Sequence, residues 1–259
     1  MKGAPRDMAR RHLPIEGAFN VRDLGGYPTK DGGETRWRRF LRADSLHRIA
    51  PAGMDHLLDE GLRTVVDLRT RAEAATAPSV FADLGGVDYI NMPLFDDLAP
   101  AALGQAKRRP EDPLLEFYVT ALDTRHDALR EILAAMASAP TGTVMFNCTA
   151  GKDRTGLVAA LLLGLAGVDR PQIVADYVLT AELIPELVDE FLELSRQRGG
   201  DVVAYERMLR SPAKTLEAAL ARIDGGHGDI PAYLSATGLD KTQIAALRDR
   251  LMAESYPTA

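Results

Sequence analysis

One cysteine and one arginine, with five residues between them, carry the chemistry that can be read first from this chain. Cys148 is the only cysteine among 259 residues, and it opens the stretch Cys148-Thr149-Ala150-Gly151-Lys152-Asp153-Arg154-Thr155-Gly156. The run Thr143-Val144-Met145-Phe146-Asn147 before it predicts a buried strand, and the apolar segment Leu157 to Val168 after it predicts a helix. A glycine-containing loop between a strand and a helix N-terminus aims backbone N–H groups and the positive end of the helix dipole at one point, which suits a phosphate-sized anion. A cysteine in such a field is favoured as thiolate, so Cys148 is the candidate nucleophile. Arg154 supplies a planar fork able to hold two oxygens of a phosphoryl group.

Two plainer readings compete. Gly151-Lys152 invites a Walker A loop, but Asp153 stands where Ser or Thr is required and Phe146 where the first glycine belongs. Cys148 on its own could be a small buried residue at a strand end. Arg154, Gly151 and the strand-to-helix setting together favour the anion loop. The stretch resembles the phosphate loop of the cysteine-dependent protein tyrosine phosphatases, Cys-x5-Arg followed by Thr. Ala150-Gly151-Lys152-Asp153-Arg154-Thr155-Gly156 is similar to one branch in particular, bacterial tyrosine phosphatases with some phosphoinositide activity. Phe19-Asn20-Val21-Arg22-Asp23-Leu24-Gly25-Gly26-Tyr27 also resembles that family's N-terminal signature, while by residue type it is a turn rich in Gly and Asp.

The resemblance implies a phosphatase that hydrolyses phosphomonoesters through a phosphocysteine intermediate, without metal or cofactor. Cys148 would attack phosphorus in line. Arg154 and the loop, Thr149, Ala150, Gly151, Lys152 and Thr155, would hold the equatorial oxygens. A carboxylic acid must protonate the leaving oxygen. Asp153 matches the acid of this branch residue for residue; Asp96 or Asp97, on a loop after another strand, is the alternative by topology. Lys152 is either extra charge for a multiply phosphorylated substrate or a solvated loop lysine, and Thr155 either donates to sulfur or caps the helix. The implied partners are a phosphorylated protein or a phosphoinositide. One departure stands out: Asn147 occupies the position that is normally histidine, which opens the alternative of a weak or inactive phosphate-binding pseudophosphatase. A rhodanese-like sulfur carrier would share the cysteine loop but has no need of Asp153.

The composition, 46% hydrophobic and 26% charged, is that of a globular protein, and a net charge of −6 argues against nucleic acid as partner. Five scattered histidines show no metal-ligand spacing. No apolar run reaches the ~20 residues of a membrane span, and nothing resembles a secretory signal. A cytoplasmic location is expected, with secretion lacking a signal peptide left open; oligomeric state is not legible.

The elements that must position the loop follow from pattern. Residues 1–15 read as a flexible tail. Tyr27–Lys30 and Thr35–Ala43 pair as a hairpin about Asp31-Gly32-Gly33, and Arg36, Arg38, Arg39 and Arg42 on its return strand read as a solvated face. A helix runs from Pro51 to a stop at Gly61. Thr64–Arg69 is a buried strand, whose Asp67 and Arg69 either support the loop or form a strand-end ion pair. A strand over Asp88–Leu94, a loop over 99–113 and a long helix from Leu114 to Ala137 precede the cysteine strand. Helices then follow at Pro171–Glu182, Pro185–Arg196, Val202–Met208, Ala213–Ile223 and Asp240–Leu251, with Gly199-Gly200 and Gly225-Gly226 as stops. The segment 184–210 is either a helix pair packed on the sheet or, by family resemblance, a lid. Strands alternating with helices predict an α/β fold, one domain with a central mixed, mainly parallel sheet flanked by helices, similar to the dual-specificity phosphatases, and a helical C-terminal part.

Overall fold

The computed structural model describes residues 10–96 and 112–252. Its sheet has the order β1-β2-β5-β3-β4, built from β1 (Arg22–Asp23), β2 (Phe40–Ala43), β3 (Leu62–Asp67), β4 (Asp88–Asn91) and β5 (Thr143–Asn147). Only β1 runs antiparallel; β2, β5, β3 and β4 are parallel. The helices are α1 (Pro51–Asp59), α2 (Arg71–Thr76), α3 (Pro113–Thr124), α4 (His126–Ser138), α5 (Asp153–Leu165), α6 (Arg170–Val178), α7 (Thr180–Leu183), α8 (Pro185–Gln197), α9 (Val202–Leu209), α10 (Ala213–His227), α11 (Ile230–Ala236) and α12 (Lys241–Leu251).

The central strand β5 is buried along its whole length, as expected for a parallel strand covered on both faces. Its side chains alternate between two cores. Val144 and Phe146 join the larger one with α3, α4, α5 and the C-terminal helices, while Met145 joins Leu41, Leu62, Val65 and Phe81 on the opposite face. Helix α5 is apolar nearly all round and buried from Thr155 to Leu163, so its N-terminus is fixed in the middle of the molecule. In parallel α/β sheets ligands bind beyond the carboxyl ends of the strands. Here those ends are Ala43, Asp67 and Asn147, side by side in the sheet.

Several boundaries differ from the expectation. The turn at residues 31–33 forms, with Thr29 N–H on Gly33 C=O at 2.9 Å. The return segment, however, turns again where Arg38 adopts a φ of 57°, and the sheet strand is only Phe40–Ala43, paired with β1 and β5 rather than with residues 27–30. The long helix expected after residue 113 is two, because Arg125 breaks it at φ −109° and ψ 34°. Helix α10 passes through Gly225-Gly226 to His227 and stops at Gly228, whose φ of 88° is the left-handed terminator. The expected tail is ordered from residue 10: Leu13 and Ile15 are buried, and Arg11 donates to the carbonyls of Gly25 (2.9 Å) and Gly26 (2.7 Å). Residues 1–9 and most of the loop 99–113 lie outside the described residues.

Candidate active site

The chain leaves β5 at Asn147, forms the loop Cys148 to Lys152 and enters α5 at Asp153. Cys148 is 3% exposed. Gly151 has a φ of +63°, and a Cβ there would stand 2.6 Å from the Ala43 carbonyl, so glycine alone lets the loop lie against the end of β2. The loop carbonyls are held from outside. Asn147 C=O accepts from Leu68 N–H (2.8 Å) and Thr149 C=O from Ser45 N–H (3.2 Å). Ala150 C=O accepts from Asn20 Nδ2 (2.9 Å), and Gly151 C=O from Arg42 Nη2 (2.7 Å) and Asn20 Nδ2 (3.1 Å). By contrast, the N–H groups of Thr149 to Arg154 donate to no protein acceptor among the described residues. A fan of free donors at the positive end of a helix binds anions.

Arg154 is the second residue of α5. Its Nη1 and Nη2 donate to Glu73 at 2.6 and 2.9 Å, and Nη2 also reaches Thr149 Oγ1 at 3.1 Å. Burial opposes its charge, but Glu73, then the Cys148 sulfur, hold it firmly protonated. Burial likewise opposes charge on Glu73, yet the Arg154 fork outweighs this and holds the carboxyl at about 2. Glu73 therefore clamps the end of the guanidinium and leaves Nε without an acceptor among the described residues. Sequence reasoning did not find Glu73. It sits on α2, a six-residue helix whose capping box, Glu73 N–H on Thr70 Oγ1 (3.1 Å) and Thr70 N–H on Glu73 Oε2 (2.8 Å), was the available signal.

Asp153, the first residue of α5, has its Oδ1 bonded by the Tyr118 hydroxyl at 2.8 Å, with Lys152 Nζ at 3.3 Å. Tyr118 in turn lies 2.8 Å from the Tyr177 hydroxyl. Burial, then Asp153, raise the Tyr118 phenol well above its ordinary value, so the hydroxyl keeps its proton and donates to Asp153 Oδ1. Asp96 is paired with Arg125 at 2.9 Å, its side chain 81% exposed on the rim of the neighbouring groove. Asp97 lies outside the described residues. Lys152 fits neither reading of a loop lysine: it is 1% exposed, and its ammonium donates to the carbonyls of Met208 and of Arg210 (2.8 Å) while lying near Asp153. Its three donors are thus consumed within the protein. These bonds fasten the end of α9 to the loop, and Ala150 packs with Ile184 and Leu187 at the start of α8. Burial, then the charges of Asp153 and Glu73, raise the phenol of Tyr205 on α9. The segment 184–210 lies on the loop rather than on the sheet.

Asn147 is buried, with Nδ2 3.5 Å from Asp67 Oδ1 and Oδ1 lacking a partner. Asp67 and Arg69 do both things expected of them as alternatives: they form an ion pair at 2.6 Å, and Arg69 reaches Ser45 Oγ at 2.9 Å, on the residue whose N–H holds Thr149 C=O. Thr155 does not cap α5, whose N-cap is Lys152; its Oγ1 is buried without a partner. The arginine run is not one solvated face, because Arg42 is fully buried and Arg38 bridges Asp23 and Glu60. Beside the loop, a groove of about 950 Å³ is lined by Thr149, Glu73, His47, Leu187 and Phe191 among others. No helix among the described residues is long and apolar enough to cross a membrane, and no cluster of three metal-ligating side chains occurs among them.

Cys148 and Arg154 thus stand at the two ends of a loop of free N–H groups, set at the carboxyl edge of a mainly parallel sheet, an arrangement that suits a phosphatase. Comparison with known proteins agrees. The chain matches the tyrosine phosphatase family over residues 13–253 and belongs to it. It is 31% identical to a tyrosine-protein phosphatase of Nostoc commune over 82% of this chain and 74% of that one. It is 29% identical to the triple specificity protein phosphatase PtpB of Mycobacterium tuberculosis over 95% and 100% of the two chains. The protein is a protein-tyrosine phosphatase.

Proposed function

We propose that this phosphatase hydrolyses phosphotyrosine through a phosphocysteine intermediate, with Cys148 as nucleophile, Arg154 as oxyanion holder and Asp153 as general acid. The observation that carries this is the opposed orientation of the loop, carbonyls bonded outward and N–H groups free, around the one cysteine. In-line attack by sulfur transfers the phosphoryl group and expels the alcohol or phenol, to which Asp153 gives a proton; water then attacks phosphorus and releases phosphate and the thiolate. Thr149 and Ala150 frame the cradle, and Thr155 Oγ1, unpartnered at the base of α5, is free to donate to the leaving sulfur. Lys152 acts as a structural tie, and its engagement with Met208 and Arg210 favours singly phosphorylated substrates over phosphoinositides. The Mycobacterium tuberculosis relative is named a triple specificity phosphatase, so steady-state rates on phosphotyrosine, phosphoserine and phosphoinositide measured side by side test the substrate class. A rate on phosphoinositide above that on phosphotyrosine would overturn this order of preference.

The acid is tested by leaving-group dependence. Asp153→Asn should slow esters of basic, poorly leaving alcohols far more than activated aryl phosphates, by about 10²-fold or more against less than about tenfold. Asp96→Asn should change little, since that carboxylate already serves Arg125. A steep dependence in the Asp96 variant and a flat one in the Asp153 variant would move the acid to the other loop.

Asn147 bears on the pH profile. An imidazole in its place would lie beside the Asp67 carboxylate and carry a positive charge that asparagine cannot. A cation near sulfur favours the thiolate, so the acidic limb of kcat/KM in Asn147→His should move to lower pH by on the order of half a unit or more. An unmoved limb would show that residue 147 is electrostatically decoupled from the sulfur.

A further inference from the structure

Beneath the loop lies a closed polar network that phosphoryl transfer at Cys148 does not itself use. Arg42 on β2 sends Nη2 to Gly151 C=O (2.7 Å) and Nη1 to Asp176 on α6. Asp176 also receives Arg22 Nε at 3.0 Å and the Tyr27 hydroxyl at 3.1 Å. Arg22 bonds Asn20 Oδ1, and this turns the amide so that Nδ2 points at the carbonyls of Ala150 (2.9 Å) and Gly151 (3.1 Å). Asn20, Arg22 and Arg42 are fully buried and Asp176 is 3% exposed. Burial alone would raise the Asp176 carboxyl, but Arg22 and Arg42 hold it at about 2, so this carboxylate is ionised throughout the physiological range.

We infer that Asn20, Arg42 and Asp176 are positioning residues that aim the loop's N–H groups at the phosphoryl oxygens. A trans peptide unit is planar, with its C=O and the following N–H pointing in opposite directions. Holding Ala150 C=O outward therefore sends Gly151 N–H inward, and holding Gly151 C=O outward sends Lys152 N–H inward. The restraint is needed at this point in the chain because Gly151 lacks the Cβ that would otherwise limit rotation of the peptide planes on either side. Asn20 and Arg22 come from the N-terminal signature, Arg42 from the run of basic residues and Asp176 from the C-terminal helical half. The network thus joins three distant parts of the chain at two carbonyl oxygens. The two arginines and one carboxylate also leave one net positive charge beneath the loop.

The inference rests on the cysteine reading of the site, and the test separates the two. Asn20→Ala removes both amide bonds and leaves the Arg42–Asp176 pair. Asn20→Asp keeps the size and the Arg22 contact but presents oxygen to two carbonyls. Both variants are compared with wild type for kcat per active site titrated at the cysteine, for KM, and for inhibition by vanadate, whose bound form resembles the five-coordinate transition state. Loss of one oxyanion donor costs about 10²–10³ in kcat; misaimed donors should cost about tenfold or more. The expected result is a fall in kcat with a parallel rise in the vanadate inhibition constant and KM changed less than about threefold. A purely structural role would lower the titratable fraction and leave kcat per site and vanadate inhibition unchanged, which would overturn the inference, as would wild-type values in the Asn20→Asp variant. If wild-type protein itself shows no cysteine-dependent turnover, the cysteine reading fails and the positioning role fails with it.

Discussion

Replacing Cys148 by serine should abolish turnover of aryl phosphates while leaving the fold and phosphate binding in place. The exchange removes one atom's polarisability and nearly keeps its size at a site where the side chain is 3% exposed, so packing is disturbed little. What changes is the nucleophile. A cysteine sulfur is intrinsically the stronger nucleophile, whereas a serine hydroxyl needs a general base to deprotonate it. The carboxylate beside the loop, Glu73, is bound in both its oxygens by Arg154 and Thr149 and stays ionised down to about 2, so it is poorly placed to take a proton. Asp153, the proposed general acid, would be engaged on the leaving side. With no base to deprotonate the hydroxyl, the expected decrease in kcat is on the order of 10⁴-fold or more. Inorganic phosphate should still bind, because the loop N–H groups and Arg154 are untouched, whereas vanadate, whose five-coordinate form needs a bond to sulfur, should bind more weakly. The measurement is steady-state hydrolysis of an aryl phosphate by both proteins, repeated with chelator. A serine variant retaining more than about a hundredth of the wild-type rate, or a wild-type rate lost on chelation, would remove Cys148 from the role of nucleophile.

The parts of the site legible in sequence are those carried by one continuous stretch. Strand, loop and helix N-terminus follow one another from Thr143 to Leu165, so residue type and periodicity locate Cys148, Gly151, Asp153 and Arg154 without knowledge of the rest of the chain. The central strands are similarly clear because strands buried on both faces read as unbroken apolar runs. What stays hidden is what the loop touches. Glu73 is 81 residues from Arg154 and lies on a helix too short to show a period. Arg42 is lost among its neighbours, although the alternation of β2 holds a clue: Phe40 faces the larger core, so Arg42, two residues on, must face it too. A buried arginine requires a buried acid, and nothing local identifies Asp176 as that acid. Lys152 misleads in the opposite direction. A lysine in a loop is usually solvated, and only the return of the chain at Met208 and Arg210 covers it.

Arg154→Lys should cost about 100-fold or more in kcat, despite retention of charge. The guanidinium has five donors in one plane, and the structure shows how they are shared. Nη1 and Nη2 grip Glu73, Nη2 also touches Thr149, and Nε donates to no acceptor among the described residues. Arg154 can therefore be anchored and hold a phosphoryl group at once. A lysine has a single ammonium on a flexible stem, and the nearest fixed anion is Glu73, which is ionised over any practical assay range. That carboxylate should capture the ammonium and keep it from the phosphoryl oxygens. The interaction lost is one that strengthens as charge spreads over the equatorial oxygens in the transition state, so kcat should fall by about 100-fold or more and KM should change less. Glu73 also makes the experiment diagnostic. If the introduced ammonium is trapped by this carboxylate, adding Glu73→Gln to Arg154→Lys should recover part of the lost rate by releasing it toward the substrate. Near-normal turnover in the single variant would place the phosphoryl group away from Arg154 and leave the Glu73 pair as a purely structural contact.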